Sequence, residues 1–145
     1  MIAGSICASE HPASSLHFDR DEANLVFTLQ GEPVTMQTNS SAAIVIVAYK
    51  PKPGKEADLL QLTREHVPLL RAEGLVTDHP VTACQSTDGT VVEVFEWAAG
   101  GMERAHSNPA VLALWARYGE ACDYVPLTTL PEASNMFASF TPLNL

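Results

Sequence analysis

The chain has 145 residues, of which 46% are hydrophobic, 7% aromatic and 17% charged. That length suits one domain with its own core, and so low a charge fraction excludes wholesale intrinsic disorder. Eight basic residues against 17 acidic ones leave a net charge of −9. Lys50, Lys52, Lys55, Arg64, Arg71, Arg104 and Arg117 are scattered along the chain, so neither a nucleic-acid backbone nor an anionic membrane is an expected partner.

The three cysteines, Cys7, Cys84 and Cys122, form no CxxC pair. A disulfide framework or zinc ribbon is therefore not expected, and separate thiols suit a reducing compartment. No apolar run approaches the ~18 residues of a membrane span. The opening MIAGSICASE lacks the basic region of a secretory leader, which makes a cytoplasmic protein the expectation.

Residues 1–41 read as an N-terminal extension, irregular at first, in which His17-Phe18-Asp19-Arg20-Asp21-Glu22 is a solvated run. Leu25–Leu29 and Val34–Met36 flank Gln30-Gly31-Glu32, a pattern for a β-hairpin whose second strand is demoted to an edge by Pro33. Residues 42–145 form the main domain. Ala42–Tyr49 (AAIVIVAY) is apolar on both faces, as in a strand covered on both sides. Pro51-Lys52-Pro53-Gly54 turns the chain into a helix over Lys55–Glu73, with Pro68 inside it and Gly74 as its stop. Val81–Ser86 and Thr90–Trp97 flank Thr87-Asp88-Gly89 as a second hairpin. A helical stretch runs from about Met102 to Asp123, broken near Asn108-Pro109, and Asn135–Thr141 is a last short strand.

Strand, helix, strand, strand, helix, strand is the order of the ferredoxin-like βαββαβ arrangement, an α+β fold with helices on one face of an antiparallel sheet. The opposite face is left bare by such a plan. Because the first strand is apolar on that face too, a homodimer is expected.

The segments PKPGKEADLL, after the first strand, and VFEWAAGGMERAH resemble the antibiotic-biosynthesis-monooxygenase (ABM) domain over about residues 42–141. The resemblance implies a dimeric α+β barrel with a pocket between the sheet and helices of each subunit. Family members include cofactor-free oxygenases of aromatic polyketides, quinol oxygenases and haem-degrading enzymes. The haem-degrading members carry an asparagine on the first strand, whereas Ile44–Tyr49 contains none. Haem oxygenation is accordingly not implied.

His106 matches the family histidine that can face the pocket, where it would serve as general base; its other role would be to pin the helix. Metal-free oxygenation needs such a base, together with donors that hold the resulting enolate or phenolate. Trp97 would stack on a flat substrate or simply fill the core. Trp115 and Tyr118, one helical turn apart, offer an aromatic wall or simply an aromatic face packed on the sheet, and His66 looks into the same space from the first helix or lies half-buried there. His79 reads as a turn residue. Glu93 and Glu96 fall on opposite faces of their strand, and one of them is expected in an ion pair.

The expectation is thus a cofactor-independent, metal-free monooxygenase acting on a small aromatic or quinol-type compound. A non-catalytic dimeric barrel that binds a small apolar ligand is the alternative. Isomerase or decyclase activity on lactones would use the same fold and also need a base.

Overall fold

The computed structural model describes residues 24–29 and 32–37 by their backbone and residues 41–145 with their side chains. The irregular stretch expected before the hairpin, with its His17–Glu22 run and Cys7, lies outside the described residues. The chain divides into two units, Met1–Gln37 and Thr38–Leu145. In the first, β1 (Asn24–Leu29) and β2 (Glu32–Gln37) pair antiparallel with Leu29 opposite Glu32, so Gln30-Gly31 alone connect them. Pro33 is tolerated because both strands of a two-stranded ribbon are edges.

The second unit is an α+β body. Its strands are β3 (Ala43–Pro51), β4 (Thr82–Gln85), β5 (Val91–Trp97), β6 (Cys122–Val125) and β7 (Thr141–Pro142). They form one antiparallel sheet in the order β6-β3-β5-β4-β7. Its helices are α1 (Glu56–Ala72), the short α2 (Gly101–Ala105) and α3 (Pro109–Ala121).

Local chemistry accounts for the element ends. Along α1, Leu59, Leu62, Thr63, His66, Val67 and Leu70 recur at helical spacing and are buried. The helix stops in a Schellman motif: Gly74 adopts φ +66°, its N–H donates to Arg71 O, and the Leu75 N–H donates to Leu70 O. Asn108 caps α3 by accepting from the Ala110 and Val111 amides, with Pro109 at the first helical position. Between β4 and β5, Ser86 pairs with Thr90 and Gly89 takes φ +88°, which only glycine adopts without strain. Gly101 is required for a different reason. A Cβ there would sit 2.0 Å from the Leu75 carbonyl oxygen, so α2 can start against the end of α1 only without a side chain.

One face of the sheet carries Val45, Val47, Tyr49, Val91, Phe95 and Trp97, which pack on α1 and α3 in two apolar clusters. The other face is less bare than expected. Two 3-10 turns, Leu127–Thr129 and Pro131–Ser134, bring Leu130 onto Ala48 and Val92, with Phe140 beside them. Ile44 and Ile46 on that face remain 50% exposed.

The last strands differ from expectation. Asn135–Thr141 does not form a strand; only Thr141–Pro142 pairs, with β4, and Phe137 is 86% exposed. The strand beside β3 is instead Cys122–Val125, opposite Ala48–Pro51. Cys122 falls in step with Val111, Leu114 and Tyr118, so periodicity extends the helix through it. Yet its backbone is extended (φ −150°, ψ 169°), because Pro126 disfavours helix at Val125 and Tyr124-Val125 suit a strand.

Glu132, in the second 3-10 turn, latches this covering segment to the β4–β5 hairpin. It accepts from the Thr87 amide at 2.8 Å, the Ser86 hydroxyl at 2.7 Å and the Thr87 hydroxyl at 2.9 Å. Those donors, the Thr87 amide foremost, hold its carboxyl below the ordinary 4.5. A depressed folded value contributes stability that is complete above 4.5 and is lost as pH falls through the lower value. The melting-temperature gap between wild type and Glu132→Gln is therefore expected to shrink on acidification from about pH 6 to about pH 3. A gap independent of pH, measured by circular dichroism, would contradict the latch.

Candidate functional site

The parity of β5 turns Glu93 toward the helices with Phe95 and Trp97, while Val92 faces the other way. Glu93 is 1% exposed, and a carboxylate so deeply buried requires donors. Two meet it. Tyr49 on β3 donates its hydroxyl to Oε2 at 2.9 Å, and His66 Nδ1 on α1 lies 2.8 Å from the same oxygen. On the far side of the imidazole, the Trp115 indole N–H donates to His66 Nε2 at 3.3 Å.

Donor logic assigns the protons. An indole N–H can only donate, so His66 Nε2 must offer a lone pair. The ring proton then resides on Nδ1 and is donated to Glu93, which acts as an acceptor-only carboxylate. Burial, and next the charge of Glu93, push the Tyr49 phenol well above its ordinary 10.0, which keeps it an O–H donor. The result is one hydrogen-bonded chain joining β3, β5, α1 and α3.

Tyr118 completes the cluster. Its ring centroid lies 5.0 Å from Tyr49 and 5.3 Å from His66. Its hydroxyl is buried, makes no short hydrogen bond among the described residues, and interacts with the Thr63 side chain. Burial, followed by the charge of Glu93, drives its phenol well above the ordinary value, so the group holds its proton.

The remaining residues singled out by sequence fall in two places. His106 caps the C-terminus of α2, is exposed, and sets its ring 5.1 Å from that of the half-buried Trp115. Trp115 thus stands between an exposed histidine and a buried one. Trp97 lies in the core cluster of Val67, Leu70 and Leu75, on which Trp115 also packs, and the Phe95 ring sits 5.2 Å from Trp97 and 5.4 Å from His66. His79 is an exposed loop residue beside Pro80. Glu96 faces away from the helices and accepts from the Thr77 hydroxyl at 2.8 Å.

Two clefts open between α1 and α3. The smaller, about 150 Å³, is lined by Lys55, Asp58, Gln61 and Glu120 among others. The wider has an apolar floor of Pro68, Leu69, Ala113 and Leu114. Neither is lined by His66, Glu93 or His106. Among the described residues, no three His, Cys, Asp or Glu side chains converge to hold a metal, and no helix is long and apolar enough to cross a membrane.

Sequence reasoning left Glu93 and Glu96 equivalent and passed over Tyr49. The available signal was a carboxylate sharing parity with Phe95 and Trp97, opposite a strand whose one hydroxyl, Tyr49, lies on the matching face. No family model, no curated protein and no solved structure matches the chain.

Two substitutions separate satisfied from unsatisfied polar groups. Glu93→Ala leaves the Tyr49 and His66 donors unmet, and is expected to lower unfolding free energy by about 1–3 kcal/mol for each. Tyr118→Phe removes a hydroxyl that makes no short hydrogen bond and is expected to be close to neutral. Urea midpoints at constant slope measure both. Equal losses in the two variants would refute this assignment of the hydrogen bonds.

Proposed function

We propose that the chain is a cofactor-independent monooxygenase of the ABM type, acting as a dimeric α+β barrel on a small aromatic or quinol-type compound. The observation that carries this reading is His106 beside Trp115, at the exposed end of the chain Trp115–His66–Glu93–Tyr49. An exposed imidazole next to a half-buried indole gives an aromatic substrate both a base and a surface to lie against.

In this reading His106 removes a proton from the substrate, and the resulting anion is electron-rich enough to pass one electron to dioxygen. Recombination of the radical pair forms a C–O bond and a peroxide. Cleavage of the O–O bond leaves a carbonyl on the product and releases the second oxygen as water, with the proton on His106 returned. Overall RH₂ and O₂ give R=O and H₂O, so no external reductant is consumed.

Support for the ferredoxin-like plan comes from the strand order β6-β3-β5-β4, with β3 and β5 central and antiparallel and α1 and α3 packed on one face. PKPGKEADLL falls on the turn and first residues of α1, and VFEWAAGGMERAH spans β5, its turn and α2. A second copy on the Ile44 and Ile46 face would remove their exposed apolar surface from water. Ile44→Glu with Ile46→Glu is expected to convert a dimer to a monomer in sedimentation velocity at micromolar concentration; wild-type protein that already sediments as a monomer would refute the barrel.

The alternative, a barrel that binds a small apolar ligand without turnover, is favoured by the closed packing of His66 and Glu93 and by the apolar floor of the wider cleft. Oxygen uptake by chelator-treated protein over anthrones, naphthols and quinols separates the two. Uptake that falls roughly 10²–10⁴-fold in His106→Ala, the usual worth of a general base, supports the oxygenase. An unchanged rate removes His106 from that role, and no uptake with a ligand-raised melting temperature supports the binding module.

A further inference from the structure

β6 covers only the second half of β3. Its register runs from Pro51 opposite Cys122 to Ala48 opposite Val125, after which Pro126 turns the chain across the sheet and Leu130 lands on Ala48 and Val92. On that edge, residues 43–47 pair with no strand among the described residues. Two hydrogen bonds identify the backbone groups that face it. The Lys52 amide donates to Ala121 O at 2.9 Å and continues the β3–β6 register, so Lys52 and, by alternation, Ala48, Ile46 and Ile44 face the β6 side. The Glu96 carbonyl accepts from the Thr77 amide, so Glu96 turns away from β3, and its register partner Ile44 turns away from β5. Ile44 and Ile46 thus present two N–H and two C=O groups to an open edge, while Ala43, Val45 and Val47 face β5. Edges of this kind are ordinarily blunted by charge, proline or a bulge. Residues 42–49 carry no charge, proline or glycine, and the β3–β5 register is unbroken.

We propose that this edge joins two copies of the chain, which pair their β3 strands antiparallel about a twofold axis at Val45. The open groups are backbone donors and acceptors at strand spacing, so what they take is another strand. A second copy brings the same groups in reverse order, and the contact closes on itself. With Ile44 opposite the partner's Ile46, and Ile46 opposite the partner's Ile44, all four open groups of each copy are bonded. A slip of two residues one way sets Ile44 against the partner's Ala48, which already faces β6, and the other way sets Ile46 against the partner's Ala42, beyond the strand. The same register brings β-branched side chains together on both faces: Ile44 and Ile46 on the open face, and Val45 against the partner's Val45 on the helix side. The pairing uses the strand edge and not the sheet face, so it stands whether or not a further copy packs on that face as a barrel.

The test uses the full chain. Val45 forms a non-hydrogen-bonded pair across the twofold axis, and such pairs hold their Cα atoms about 4.5 Å apart, within disulfide reach. Val45→Cys is therefore expected, on mild oxidation, to give a disulfide joining position 45 of two chains, identified by peptide mass. Val47→Cys, which would oppose the partner's Ala43, is expected to give no such link at position 47. Packing on the open sheet face cannot produce the link, because Val45 lies on the helix side. In wild type, the Ile44 and Ile46 amides are expected to exchange roughly tenfold more slowly than open backbone once nine-tenths of the chains are paired. Ile46→Pro removes an edge donor with no strand partner inside the subunit, and is expected to keep the folded circular dichroism while losing the pairing in sedimentation velocity. A folded Val45→Cys protein that stays unlinked at that position overturns the proposal. So do Ile44 and Ile46 amides that exchange freely in concentrated wild type. Slow exchange at those amides in a protein that sediments as a monomer overturns it too, since another segment of the same chain would then cover the edge.

Discussion

A carboxylate taken almost wholly out of water has few permissible surroundings, and those of Glu93 tie four elements together. Tyr49 reaches it from β3 and His66 from α1, and Trp115 on α3 closes the far side of the imidazole. The register of β3 against β5, Val47 opposite Glu93 and Tyr49 opposite Val91, is the one that places the Tyr49 hydroxyl beside that carboxylate. A slip of one residue would carry Glu93 to the face where Ile44 and Ile46 meet solvent and bring Val92 beneath the helices. The rotation of α1 about its axis is limited likewise, because only one setting points His66 at the sheet while Leu59, Leu62 and Leu70 stay buried.

Much of this architecture was legible in the sequence, because the signals were local. The apolar faces of β3 and α1, the Gly74 stop, the Asp88-Gly89 turn and the Asn108-Pro109 cap each act within a few residues. The strand at Cys122–Val125 was hidden for the opposite reason. Cys122 satisfies the helical spacing of α3, and what draws the chain out of helix is the following Val125-Pro126 step together with the open edge of β3, opposite residues some seventy positions earlier. The partial cover of the second sheet face escaped for a similar reason, since Leu130 is an isolated apolar residue between prolines until it meets Ala48 and Val92.

The candidate site divides along the same line. His66, Trp115 and Tyr118 could be placed toward one space from helical periodicity, and they do converge. Their acceptor could not be chosen, because strand parity says only that Glu93 and Glu96 oppose each other. Which of them faces α1 is settled by contacts 27 and 44 residues apart, to His66 and Tyr49. Trp97 illustrates the converse. Its strand position suits a ligand wall and a core residue equally, and the helix-side cluster around Leu70 and Leu75 absorbs it.

The place of β3 at the middle of the sheet has a consequence for how the chain is made. It is the first strand of its unit to emerge during synthesis, yet both of its neighbours, β5 and β6, come from the later half of the sequence. Until they arrive, Ile44-Val45-Ile46-Val47 is an uncovered β-prone run with two open edges, the kind of segment that pairs with another chain when left waiting. The β4–β5 hairpin can close locally, but β3 can pair only after the long loops to β5 and β6 close, which delays completion of the sheet. Nascent chains that end before β6 will therefore expose their stickiest strand, and α1, which buries one face of β3 and is the next element synthesised, is its first available shield.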